Sequence, residues 1–206
     1  TATDPSVGAS TRVTSHATHS AIDRSEIDYS TEAEIKEFHF HTYFHLFQTA
    51  QDCPQCNASY IAAERLRSQL IAAVAAREFV AVCAGITDRE LPGLNVSSTY
   101  PVYLHPQGPH PAGSFETWVP REYLSQVMSY FLVHRQELTI FFHPLSAHAV
   151  EDHAGRSAFF GPPMRLNLNA LDDAGDPLQY PELGLGYSRR AVSAADVESA
   201  QWWRAA

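Results

Sequence analysis

The chain has 206 residues, 45% hydrophobic and 18% charged, with a formal net charge of −9. That is enough for one domain with a buried core plus appendages, and the acidic balance argues against nucleic acid, whose phosphates select a basic face. No apolar run approaches a membrane span and no charged-then-apolar leader opens the chain, so a soluble, cytoplasmic protein is expected.

Residues 1–33 are rich in Ser, Thr and Ala without apolar periodicity. They read as a disordered or loosely attached segment in which His16 and His19 are solvated. Order is expected to begin near Ile35, giving a domain over 34–171 and a C-terminal extension over 172–206. "EFHFHTYFHLF" (37–47) alternates: Phe38, Phe40 and Phe44 point one way, His39, His41 and Tyr43 the other. "NASYIAAERLRSQLIAAVAARE" suits an amphipathic helix with Ile61, Leu66, Leu70, Ile71 and Val74 inward, fraying around Gly85. A loop leads to a second strand in "VSSTYPVYLH" (96–105), which Pro101 marks as an edge. "GSFETWVP" (113–120) is a third strand. "REYLSQVMSYFLVHR" is a second helix with Leu124, Val127, Met128, Phe131 and Leu132 inward, and "ELTIFFHPL" (137–145) is a fourth strand. "MRLNLNAL" (164–171) alternates again and is expected to add a fifth strand beside the fourth.

The order β-α-β-β-α-β predicts an α+β, ferredoxin-like sandwich with two helices on one face of an antiparallel sheet and an extra C-terminal strand. With the helices over Phe38, Phe40, Val102, Leu104, Phe115, Ile140 and Phe142, the opposite parity groups the chemistry. His39, His41, Tyr43, Tyr103, His105, Glu116, Trp118, Phe141 and His143 fall on the open face. In strand order 4-1-3-2, His39 and His41 neighbour both His143 and Glu116. Several imidazoles with open positions suit a catalytic divalent metal, iron(II) or zinc. His45 and His134 read as ordinary structural histidines.

The loop "HPQGPHPAG" carries Pro106, Pro109 and Pro111 within six positions. Proline fixes φ, so this loop is stiff and aims His110. His105 ends a strand and reads as a bystander.

The motifs "HFHTYF" (39–44), "GPHPAGSFE" (108–116) and "FFHPLSAHAVEDH" (141–153) resemble the DOPA 4,5-dioxygenase family over roughly residues 35–171. The resemblance implies a ferredoxin-like homodimer with non-haem iron(II), cleaving a catechol such as DOPA with O2 by an extradiol route. By motif it points to His39, His41, His110, His143 and His153. Metal ligation is expected of the first four. Because a catechol must lose a proton on binding, acid–base work is expected of His153 or of whichever of His39 and His110 is not bound to the ion. Tyr103 and Trp118 are candidates to wall the aromatic ring. Glu116 is not a fixed part of the pattern, and "HPLSAHAVEDH" departs from the commoner "HPxTG" wording.

Two other readings compete. Cys53 and Cys56 in "CPQC" sit before a helix N-terminus, where a thiol pKa is lowered, and suggest a thiol redox protein. The β-β hairpin order is wrong for a thioredoxin fold, and three cysteines do not make a disulfide framework. A non-catalytic dimeric binding module is the other, since fold does not fix function.

Overall fold

The computed structural model describes residues 35–46, 57–85, 96–98, 100–172 and 179–189. The N-terminal segment 1–33, the Cys53/Cys56 pair, most of 84–100 and the tail with Trp202 and Trp203 lie outside them. The described elements run β1 (Glu37–Phe44), α1 (Ala58–Ala75), β2 (Val82–Cys83), β3 (Gly113–Pro120), α2 (Leu124–His134), β4 (Thr139–Pro144), α3 (Ala149–His153) and β5 (Ala158–Phe160). They form one antiparallel sheet in the order β2-β3-β1-β4-β5. This is the expected α+β, ferredoxin-like arrangement with a strand added beside β4.

Register sets the faces. His39 pairs with Trp118 on one side and His143 on the other, while His41 pairs with Glu116 and Phe141. Directly paired residues share a face, so the grouping by parity holds. On the opposite face Phe40, Phe44, Phe115, Val119 and Ile140 pack under α1 and α2. Phe40 stacks on Phe131 of α2 with centroids 4.8 Å apart. Fully burying each such ring contributes about 1.5–3 kcal/mol.

Several elements differ from the expectation. Helix α1 stops at Ala75 because Arg77 takes a left-handed conformation (φ 66). The Arg77 N–H donates to Val74 O and the Glu78 N–H to Ala73 O, a glycine-type helix ending made without glycine. The chain then runs extended through the wholly buried 79–84 stretch, so β2 is Val82–Cys83 and not 96–105. The expected edge strand contributes a single bridge, Tyr103 to Ser114. The fifth strand is Ala158–Phe160, whereas 164–171 runs beside the sheet and closes in a 3-10 turn at Leu168–Ala170. Ile61 and Leu132, assigned inward, are exposed; the buried stripes are Ala63, Leu66, Leu70, Ala73 and Val74 on α1 and Val127 and Phe131 on α2.

Residues 179–189 form a strap over one end of the histidine-bearing face. Tyr180 sits edge-on against Trp118, centroids 5.1 Å apart. Glu37 accepts from Trp118 Nε1 (2.9 Å) and from the Tyr187 N–H (3.0 Å), and the Tyr187 hydroxyl donates to Leu145 O (2.6 Å). Gly186 has φ 60 and lies so close to Glu37 that a Cβ would come within 2.5 Å of Glu37 Cγ. Only glycine fits there. The strap leaves the other end of that face, around His41, to the loops. Among the described residues no helix is long and apolar enough to cross a membrane.

Candidate metal centre

Alternation in β1 places His39 and His41 side by side on one face, and β4 adds His143 from the adjacent strand. The donor nitrogens of His39, His41 and His143 lie within 4.8 Å of one another, and so do those of His41, His110 and His153. Two candidate triads therefore share His41. Its Nε2 is 3.1 Å from His143 Nε2. Two nitrogens bound about 2.1 Å from one ion at a right angle would stand about 3.0 Å apart.

His110 is delivered by the proline-braced loop. Gln107 and His110 exchange backbone hydrogen bonds (3.2 and 3.0 Å) across Gly108, whose φ is 56, and Pro109. Positive φ followed by a proline-fixed φ is a tight hairpin turn. His153 closes the five-residue helix α3. The turn before that helix is clamped by Asp152, fully buried, which accepts from Ser146 N–H and Oγ (2.7 Å each) and from Arg156 Nη1 (3.2 Å). Asp152→Ala is expected to cost about 3 kcal/mol, because buried charge-assisted donors lose their acceptor. Urea unfolding checks this; an unchanged midpoint would mean that the clamp does not hold the turn.

The outer nitrogens of these rings are held. His143 Nδ1 donates to Pro144 O and His153 Nδ1 to Ala149 O, both at 2.8 Å. Each is thereby left with Nε2 as its lone-pair nitrogen. His110 Nδ1 meets the Tyr43 hydroxyl at 2.8 Å. His39 Nε2 faces two acceptors, Gln179 Oε1 at 3.0 Å and Glu116 Oε1 at 3.2 Å, so it carries the proton and Nδ1 holds the lone pair. Outer-shell partners of this kind orient metal-ligating imidazoles and raise their basicity.

Burial keeps the cluster neutral. Desolvation pushes His39 and His110 down to about 3 and His41 and His143 well below the usual imidazole range, with neighbouring imidazoles adding to the effect. His153 is lowered too, again chiefly by burial, against the opposing pull of Ala149 O and Asp152. Neutral imidazole is the form that binds a metal. Phe141 forms the apolar floor, its ring centroid 5.4–6.0 Å from those of His143, His153, His41 and His110. A donor set of neutral nitrogens with fixed tautomers on a dry floor fits a borderline divalent ion such as iron(II) or zinc.

Of the residues singled out from sequence, His39, His41, His110, His143 and His153 are brought together. Glu116 joins through His39. Trp118 shares their face, yet it is fully buried under Tyr180 and bonded to Glu37. Tyr103 makes no ring contact among the described residues; Tyr100 stands edge-on to His39 instead, at 6.4 Å. His105, His45 and His134 are exposed, outside the cluster. Alternation put Tyr43 on this face, but its pairing with His110, 67 residues away, had no local signal, and Gln179 had none at all.

The family described as the Dopa 4,5-dioxygenase family matches residues 38–170, a span that contains all five histidines. The chain belongs to this family. A DOPA 4,5-dioxygenase of Amanita muscaria is 37% identical over 179 residues, covering 86% of this chain and 68% of that protein. A crystal structure of a candidate dioxygenase from Nostoc punctiforme is 26% identical with a TM-score of 0.47, covering 66% of this chain and 90% of that one. The strap that carries Gln179 lies beyond the Dopa 4,5-dioxygenase family match.

Proposed function

We propose that the protein is a non-haem iron(II) dioxygenase that opens the ring of a catechol such as DOPA by extradiol cleavage. The observation that carries this reading is the convergence of five neutral, buried or half-buried imidazoles on one sheet face, within the span matched to the Dopa 4,5-dioxygenase family. His39, His41 and His143 would hold the ion, with His110 at the side shared through His41. Iron(II) in that place supplies a redox-active Lewis acid with positions left for both catechol oxygens and O2.

The protein's own groups supply the rest. A catechol must lose a proton on binding, and His153, with Nδ1 tied to Ala149 O, offers an unprotonated Nε2 to take it. The same nitrogen returns the proton as the ring opens. His110, paired with the Tyr43 hydroxyl and with its ring centroid 5.8 Å from that of His153, serves the second proton movement. Glu116 and Gln179 hold His39 in one tautomer, and Phe141 keeps water off the floor. In the overall reaction the ring C–C bond beside the diol breaks and both oxygen atoms enter the product.

Loaded anaerobically with iron(II) and then given DOPA or caffeic acid in air, the protein is expected to consume oxygen equimolar with catechol and form a yellow product. Absence of oxygen uptake with any simple catechol, despite bound iron, would overturn the reading. A protein that binds no iron would favour a binding module.

A further inference from the structure

Resting on the reading above, we infer that Arg165 is a specificity-determining residue, forming the subsite that reads a carboxylate on the ring substituent of the catechol. A cavity of about 710 Å³ opens beside His153 and is walled by Ser157, Phe159, Arg165, Asn167 and Asn169 among others. His153 belongs both to the wall of this cavity and to the histidine cluster. Phe159, on the cavity wall, packs on Phe141, the floor of the histidine cluster, with centroids 4.9 Å apart.

The segment that carries Arg165 is anchored on both of its sides. Met164 and Leu166 turn inward onto the cluster of Tyr43, Ala112 and Phe141. The Asn167 N–H donates to Pro109 O at 2.9 Å, stitching the segment to the turn that delivers His110. Two residues of extended chain span about 7 Å, so Arg165 is held roughly that far along from the His110 turn. Arg165, Asn167 and Asn169 are left exposed on alternate positions of the segment.

Charge makes the assignment specific. Among the described residues that line the cavity, Arg165 is the one charged side chain, and none is acidic. Arg165 makes no hydrogen bond or ion pair among the described residues, in a chain with a net charge of −9. A guanidinium offers a planar fork of donors that matches a carboxylate, and the flanking amides of Asn167 and Asn169 add donors. A catechol seated with its hydroxyls at His153 then projects its ring substituent down the cavity toward this fork.

The test is anaerobic calorimetry on the iron(II)-loaded full chain with 3-(3,4-dihydroxyphenyl)propionate and with 4-methylcatechol, which lacks the charge. Arg165→Gln is expected to weaken the acid about 10-fold or more and leave 4-methylcatechol unchanged, with R165K recovering most of the loss. Equal weakening of both ligands, or of neither, overturns the subsite. Oxygen admitted to the same samples separates the two readings. Uptake without discrimination by Arg165 removes the subsite alone; discrimination without uptake removes the dioxygenase reading alone. No binding of either ligand removes both.

Discussion

Replacing His143 with alanine is expected to abolish iron loading and oxygen uptake together while leaving the chain folded. His143 is fully buried, stands 3.1 Å nitrogen to nitrogen from His41, and is oriented by Pro144 O. Loss of an outer-shell partner alone costs about 10–100-fold in metal affinity, so loss of the ligand itself should exceed about 100-fold. The same fall is expected for His41→Ala, and the double variant should be no worse than either single, because both act through one ion. His105→Ala, at an exposed position outside the cluster, should match the unmodified protein in iron content and turnover. Iron content by elemental analysis and turnover by an oxygen electrode read the two effects separately. Full iron loading in His143→Ala would show that the ion is held elsewhere, and the contrast with His105→Ala guards against a general loss of stability.

The histidine face was legible because strand periodicity is local. Once β1 was read as a strand, His39 and His41 had to share a side, and the register with β3 and β4 carried Glu116 and His143 to the same side. The Gly108–Pro109 turn was legible for the same reason, since its geometry is written in two adjacent residues. What escaped was set by contacts distant in sequence or by an unusual backbone. Arg77 ends α1 in a conformation that glycine normally marks, so nothing separated α1 from the buried stretch that becomes β2. Gln179 reaches His39 across 140 residues, and Tyr180 covers Trp118, so an aromatic read as a wall of the site is instead a support beneath the strap. The burial of Asp152 depends on Ser146 and Arg156 folding round it, which periodicity does not encode.

The five imidazoles also make metal-free protein sensitive to acid. Each folded-state pKa lies below the unfolded value near 6.5, so the unfolded chain binds more protons between those limits. Stability is therefore present above pH 6.5 and lost as pH falls toward the folded values. For His39 and His110, held down to about 3, the loss at pH 5 is about 2 kcal/mol each. Glu37 acts in the other direction. Burial raises its carboxyl to about 7, against the lowering effect of Trp118 and Tyr187, so its contribution is complete below the unfolded value of 4.5 and lost as pH rises through 7. That carboxyl regains about 2 kcal/mol between pH 7 and 5, about half of what the two histidines lose, with His41, His143 and His153 still to be added. The net slope below pH 6.5 is downward. A bound ion competes with protons for the same nitrogens and adds its binding energy to the folded state, so iron loading should raise stability at neutral pH and steepen the acid limb. Urea midpoints measured on metal-free and iron-loaded protein from pH 5 to 8 test both statements. A metal-free protein that gains about 2 kcal/mol from pH 7 to 5, as Glu37 alone would give, would mean that the imidazoles keep an ordinary pKa in the fold. Parallel profiles for the two forms would mean that the ion does not use them.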